Sequence, residues 1–179
     1  SDYEDWGREN PGWGWEDCLA AYRAMEDNEA GEDAWRGRGG PLFISANRQG
    51  LHPLVGSFLA ACAEAGLPQT HDFNGLQQEG AGVYQMTIKG GRRNSASRAF
   101  LRPAMKRPNL RVVTGALATR VLVEAGRAVG VEYRQGGATR VLRARGEVIL
   151  AGGAINSPQL LQLSGIGPGG LLSGLGIPV

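Results

Sequence analysis

Residues 147–167 read EVILAGGAINSPQLLQLSGIG, in the order of a strand, a tight turn and a helix. The apolar run over 147–150 is typical of a strand that is buried on both faces. Small residues follow it, Ser157 is a good helix N-cap, and Pro158 suits the first helical position, where its missing N–H costs nothing. Backbone N–H groups at such a helix start suit a phosphate or a nucleotide edge. A simple strand-to-helix turn between closely packed elements explains the same residues.

A second glycine-rich stretch, GIGPGG at residues 165–170, has the letters of the dinucleotide fingerprint G-x-G-x-x-G. That fingerprint needs a strand before it and a helix after it. Here a predicted helix precedes the glycines and Pro168 interrupts them. We therefore do not interpret this stretch as a phosphate-binding loop.

Upstream of residue 147, short alternating segments separated by glycines predict antiparallel strands. Strands are expected over 110–114, 118–124, 128–134 and 139–144. Tight turns at Gly126-Arg127 and Gly136-Gly137 would join the last three into a meander. This pattern predicts a sheet in which strands that follow one another along the chain are neighbours.

The first part of the chain has a mixed pattern. Helices are expected over 16–28, 54–65 and 95–101, with Gly66 ending the second and Pro103 ending the third. A strand is expected over 83–87, before an exposed turn at 89–93. Together the elements indicate an α/β protein.

Composition and charge exclude several classes of protein. The chain is 42% apolar and 20% charged, which is ordinary for a globular protein, and no apolar run is long enough to span a bilayer. Glycine supplies 29 of the 179 residues, more than twice its usual share of about 7%. Cys18 and Cys62 are too few for a disulfide framework, and with the histidines they show no ligand spacing, so we expect no metal site.

Charge is distributed unevenly along the chain. Residues 1–39 contain eleven acidic and four basic residues, a net −7, together with all four tryptophans, whereas residues 40–179 carry a net +9. A basic half is a feature of nucleic-acid-binding modules. However, arginines such as Arg134, Arg140 and Arg143 stand singly along alternating strands, which favours solvated sheet faces. We therefore expect no nucleic-acid partner.

Several motifs resemble the glucose–methanol–choline (GMC) flavin oxidoreductases. Residues 153–167, GAINSPQLLQLSGIG, are similar position for position to that family's second signature. Shorter matches are spread over the chain: DFNG at 72–75, QEG at 78–80, RPNL at 107–110, TRVL at 119–122, AVGV at 128–131 and LGIP at 175–178. The resemblance covers essentially all 179 residues and is closest to the choline-dehydrogenase-like branch.

The resemblance implies a Rossmann-like FAD-binding domain with an antiparallel meander and a separate substrate-binding lobe. Residues 1–109 would belong to the substrate-side lobe, and residues 110–179 would supply the meander, last strand and helix of the FAD lobe, both incomplete. Val121 is similar to the family valine whose backbone hydrogen-bonds the adenine edge. Ala151, Gly152 and Gly153 are similar to the turn that passes close to FAD, where the lack of bulky side chains lets the backbone approach.

The implied reaction is oxidation of a small-molecule alcohol, a CH–OH donor, to an aldehyde or ketone by hydride transfer to FAD. The family's catalytic histidine has no match here, since His52 and His71 lie in different contexts, so no catalytic residue is assigned in this chain. We expect an internal piece of a larger enzyme that is inactive alone, with a cytoplasmic location and peripheral membrane association left open. Two other classes remain as alternatives: an inactive truncated remnant, and a basic nucleotide- or nucleic-acid-binding module.

Overall fold

The chain divides into two compact units, Ser1–Arg111 and Val112–Val179. The computed structural model describes residues 2–47 and 50–179, so Ser1, Arg48 and Gln49 of the predicted segment 1–109 lie outside the described residues. The units meet two residues beyond the boundary expected at 109/110. Their assignment to a substrate-side lobe and an FAD lobe stays a prediction.

The first unit contains short helices and two small sheets. Its elements are α1 (Asp2–Glu9), α2 (Trp15–Met25), β1 (Glu26–Asn28), β2 (Leu42–Ile44), α3 (Leu54–Glu64), β3 (Ile88–Lys89), β4 (Arg92–Arg93) and α4, which is a π-helical turn over Ser97–Leu101 and an α-helical turn over Arg102–Ala104. β1 pairs with β2 in parallel, and β3 forms an antiparallel hairpin with β4. The predicted helix over 54–65 and the exposed turn over 89–93 are both confirmed.

Three expectations for this unit are wrong. The helix predicted over 16–28 ends at Met25, because residues from Glu26 become extended and pair with β2. The returning chain packs closely here, and a Cβ on Gly37 would lie 1.8 Å from the Arg23 carbonyl oxygen. The strand predicted over 83–87 is reduced to one isolated bridge between Met86 and Ser45.

The third error concerns the helix predicted over 95–101 with a stop at Pro103. Pro103 instead lies within the α-helical turn Arg102–Ala104, at its start. Proline disfavours a helical conformation of the residue before it, but Arg102 adopts one, with φ −59° and ψ −44°. The preceding π-helical turn therefore continues across the proline.

The second unit confirms the predicted meander. Strands β5 (Leu117–Glu124), β6 (Arg127–Gln135) and β7 (Ala138–Arg143) form an antiparallel sheet in that order. The first turn lies at Ala125-Gly126, one residue before the position expected, and Gly136-Gly137 forms the second. Helices α5 (Gly153–Leu163) and α6 (Gly169–Gly174) follow, and α5 packs against β5.

Three sequence-based expectations for this unit are wrong. Residues 110–114 and 147–150 are in no strand, and the Ile149 side chain is 78% exposed. A strand exists only where a neighbour accepts its hydrogen bonds, and no described strand lies beside either segment. Helix α5 begins at Gly153, so Ser157 and Pro158 lie inside it rather than at its start.

Candidate cofactor-binding site

The turn of Ala151, Gly152 and Gly153 lies at the surface of the second unit, where helix α5 begins. Ala151 and Gly152 line a cavity of about 500 Å³. Residues of β5, β6 and α5 complete its wall, among them Ala118, Val131 and Leu160. The turn is therefore placed beside an open space that the sheet and the helix form together.

The chain itself requires a small residue at position 152. The Gly152 N–H donates a hydrogen bond of 2.9 Å to the Ser157 hydroxyl. A Cβ on Gly152 would lie 3.1 Å from the Asn156 Cβ and 3.3 Å from the Ser157 amide nitrogen, closer than most side-chain contacts. Ser157 thus closes the start of α5 from inside the helix, although it does not occupy the N-cap position.

Position 153 favours glycine for a different reason. Its φ of +83° is a conformation that side-chain-bearing residues rarely adopt. Nothing lies within 4 Å of the position that its Cβ would occupy. Since the first N–H groups of a helix have no intrahelical partner, the start of α5 offers donors next to open space. This arrangement fits a phosphate-bearing cofactor.

Val121 is buried in the middle of β5 and lies outside the wall of the 500 Å³ cavity. Its N–H donates a hydrogen bond of 2.8 Å to the Ser164 hydroxyl, which itself donates to the Leu160 carbonyl oxygen at 2.6 Å. Val121 is paired with Val131 of β6. Because its N–H points away from β6, its carbonyl faces that same outer side of β5.

Ser164 is the residue at this site that sequence reasoning missed. It ties β5 to the end of α5 across 43 residues of chain. The motif SGIG does not by itself predict a role for Ser164, because the partner of its hydroxyl is distant in sequence. Its only local signal is its position directly after the helical leucines, where a hydroxyl can bond the carbonyl four residues earlier.

The first unit contains a buried ionic cluster. The Arg36 guanidinium forms two hydrogen bonds with Asp72, at 2.5 and 2.6 Å, and one with Glu26 at 2.8 Å. Burial by itself would raise the pKa of the Asp72 carboxyl, but the hydrogen bonds from Arg36 and the Asn74 N–H, with the charge of Arg36, lower it below its usual range. Both charged partners therefore stay ionised at neutral pH.

The two histidines lie in separate places within the first unit. The His52 Nδ1 accepts a hydrogen bond of 3.3 Å from the Leu54 N–H at the start of α3. His71 lines a cavity of about 520 Å³ beside Thr70. Within residues 2–47 and 50–179, no three His, Cys, Asp or Glu side chains are arranged to hold a metal, and no helix is long and apolar enough to cross a membrane.

Comparison with known proteins supports the resemblance found in the sequence. The family model described as GMC oxidoreductase matches residues 1–172. The chain belongs to this family. The recognition made from the motifs is thereby confirmed.

Among curated proteins, this GMC chain is similar to choline dehydrogenases. It is 46% identical to the oxygen-dependent choline dehydrogenase of Brucella anthropi over 179 residues, 99% of this chain and 32% of that protein. It is 50% identical to the mitochondrial choline dehydrogenase of Homo sapiens, again over 99% of this chain and 30% of that protein. The chain therefore spans about a third of the length of these relatives.

Solved structures agree with the family assignment. A pyridoxine 4-oxidase from Mesorbium loti has a TM-score of 0.90 and 32% identity, covering 99% of this chain and 35% of that one. An FAD-dependent oxidoreductase from Chaetomium thermophilum has the same TM-score and identity, covering 99% and 33%. These neighbours confirm the predicted α/β class, and with the family they point to FAD as the cofactor.

Proposed function

We propose that this chain is part of an FAD-dependent oxidoreductase that oxidises an alcohol to an aldehyde or ketone, with choline as the first substrate to test. The observation that carries the proposal is 46–50% identity to choline dehydrogenases across 99% of the chain. The nucleic-acid module and the inactive remnant have no comparable support. Because the chain spans about a third of those relatives, the activity belongs to a longer protein.

The second unit would hold FAD through its backbone. Bound FAD would supply the chemistry by accepting a hydride from the alcohol carbon. Because Ala151 and Gly152 carry no bulky side chains, they would let the backbone approach FAD, and the N–H groups at Gly153 and the following helical residues would donate to the cofactor phosphates. The Val121 carbonyl, on the outer side of β5, would accept from the adenine edge. Ser164 would act as a positioning residue, because it holds Val121 against α5. No residue of this chain is proposed as the catalytic base.

Turnover by the full-length protein tests this function. The protein would be loaded with FAD and assayed with an artificial dye as electron acceptor and a panel of choline, aliphatic, sugar and aryl alcohols. We expect dye reduction with at least one alcohol and a carbonyl product. A parallel measurement of oxygen uptake separates an oxidase from a dehydrogenase. An FAD-loaded protein that reduces dye with none of these alcohols would contradict the proposal.

The 179-residue chain alone provides a second test. We propose that it neither retains FAD through gel filtration nor oxidises alcohols, since its second unit leaves large apolar residues such as Leu142 and Ile149 exposed. The full-length protein serves as the positive control. A yellow, active preparation of the short chain would refute this part of the proposal.

We further propose a cytoplasmic location. It is supported by the two cysteines, Cys18 and Cys62, which are both free. Fractionation of the native source, followed by detection of the protein in the soluble cytoplasmic fraction, tests it. Recovery in an oxidising compartment would contradict it.

A further inference from the structure

The first unit contains a strongly basic stretch of chain. Residues 89–111 include eight basic and no acidic residues. Six of the basic side chains are exposed on β4, on α4 and on the turn after it, and we call them the basic surface: Arg92, Arg93, Arg98, Arg102, Lys106 and Arg107. Within residues 2–47 and 50–179, none of the six forms an ion pair with a carboxylate. The described part of the chain therefore leaves the positive charge of this surface uncompensated.

Apolar side chains lie between these basic residues. Leu101 is 36% and Met105 is 56% exposed, although they lie in α4 and directly after it. The Arg98 guanidinium donates a hydrogen bond of 3.3 Å to the Arg93 carbonyl oxygen, which joins α4 to β4. Arginine and methionine are both enriched in protein–protein interfaces. The combination therefore favours a protein as the partner of the basic surface.

The same unit carries a second surface with the opposite charge, around the turn from α1 to α2. The indole rings of Trp6 and Trp13 pack on each other with centroids 6.4 Å apart, and these residues are 53% and 57% exposed. Three exposed acids flank the rings, and among the described residues none of them forms an ion pair: Glu9, Glu16 and Asp17. We call these five residues the acidic surface. Arginine binds both carboxylates and indole faces, so the two surfaces are chemically complementary.

The two surfaces are connected through short elements of one compact unit. Helix α2 begins at the acidic surface, is 11 residues or about 16 Å long, and leads directly into β1. Asp27 of β1 lies 4.0 Å from Lys89 of β3, the strand that pairs with β4 of the basic surface. An anionic bilayer or a nucleic acid covering the basic surface would also approach the segment 1–39, with its net charge of −7. A second copy of the protein presents both signs of charge and avoids this repulsion.

We propose that a second copy of this protein docks on the basic surface through its acidic surface. Two such contacts, related by a two-fold axis, would form a closed dimer, the commonest symmetry of soluble oligomers. Arginines of each copy would pair with the carboxylates and cover the indole rings of the other. The proposal goes beyond alcohol oxidation and does not rest on it.

Sedimentation velocity of the full-length, FAD-loaded protein over a range of concentrations tests the dimer. It is measured at about 0.1 M salt, where exposed charges act over about 10 Å, and at about 1 M, where they act over about 3 Å. We expect a dimer at the lower salt concentration and a dissociation constant at least about 10-fold higher at the other. A protein that is monomeric at both salt concentrations would overturn the proposal.

Charge reversal assigns the contact to the two surfaces. One variant reverses part of the basic surface: Arg102→Glu, Lys106→Glu and Arg107→Glu. Its matched control makes the same change in net charge at exposed positions of the second unit: Arg134→Glu, Arg140→Glu and Arg145→Glu. The first variant should raise the dissociation constant about 100-fold or more, since like charges would then face each other, whereas the control should dimerise as the wild type does.

A reciprocal variant reverses the acidic surface: Glu9→Lys, Glu16→Lys and Asp17→Lys. It should be monomeric alone. Mixed with the variant of the basic surface in equal amounts, it should form a heterodimer, because one protein then carries two acidic surfaces and the other two basic ones. Trp13→Ser removes a ring without changing charge and should raise the dissociation constant of the wild-type dimer about 5- to 30-fold.

Circular dichroism of each variant checks that it is folded. The proposal is overturned if the folded variants of both surfaces dimerise as the wild type does, or if their mixture stays monomeric. Co-sedimentation with phosphatidylcholine vesicles containing phosphatidylserine tests the competing partner. A wild type that binds these vesicles and remains monomeric would assign the basic surface to lipid and overturn the proposal.

Discussion

Replacing Arg36 by methionine should destabilise the protein strongly, because Arg36 is the centre of the buried ionic cluster. Its guanidinium donates to Asp72 at 2.5 and 2.6 Å, to Glu26 at 2.8 Å and to Gln85 at 2.8 Å. The side chains of Arg36, Glu26 and Asp72 are only 12%, 11% and 23% exposed. Methionine fills similar space but leaves two partly buried carboxylates without a counter-charge.

Removing one partner of a buried ion pair costs about 3–5 kcal/mol. The residual exposure of Asp72 lets water solvate part of its charge, so we expect a loss of about 3 kcal/mol in the free energy of unfolding. The matched control is the pair of Arg143 and Glu124, with both side chains 61% exposed. For Arg143→Met the loss should be about 0–1 kcal/mol.

The effect of Arg36→Met should depend on pH. In the wild type the pKa of Asp72 is lowered, so the stability that Asp72 contributes is full above its unfolded pKa of about 3.9 and is lost as the pH falls through the lower folded pKa. Without Arg36, burial of Asp72 acts with less opposition and raises its pKa. Protonation then relieves the uncompensated charge, so the deficit should narrow in acid.

Urea unfolding of the full-length protein, followed by tryptophan fluorescence at neutral pH and near pH 4 with the same excess of FAD, measures these differences. Circular dichroism provides a second probe of the same transition. The reasoning is refuted if Arg36→Met loses no more stability than Arg143→Met at neutral pH. A deficit that widens in acid would refute the assignment of the effect to uncompensated carboxylates.

Three further sets of substitutions test other parts of the structure. Ser164→Ala removes the acceptor of a strand N–H and should lower stability by about 1–2 kcal/mol in urea unfolding, with Ser164→Thr as the conservative control. Gly153→Ala should lower the free energy of unfolding by about 1–2 kcal/mol because the φ of Gly153 is +83°. The control is Gly56→Ala, in open space within α3, which should raise the free energy of unfolding by up to about 1 kcal/mol. Equal effects of the two substitutions would refute the argument. His52→Gln and His71→Gln should each leave the kcat of the full-length protein unchanged. A fall in kcat of about 100-fold or more would identify the replaced histidine as a general base.

The sequence by itself determined the features that depend on near neighbours. The meander β5–β6–β7 could be predicted because alternating side chains and short glycine turns act within a few residues. The extent of α3 followed in the same way from an apolar stripe and a stop at Gly66. The GMC motif is also a local pattern, and the family match over residues 1–172 confirmed it.

Only the tertiary structure decided the features that depend on distant partners. Glu26–Asn28 are extended rather than helical because they pair with β2, which lies 14 or more residues away in the chain. Ser164 gained a role through Val121, 43 residues away, and two of the four tryptophans came to line a cavity while two did not. The physical reason is that strand pairing and burial depend on which distant segment packs against a residue. The alternation of side chains along a strand and the conformation of a turn depend on residues that are adjacent in sequence.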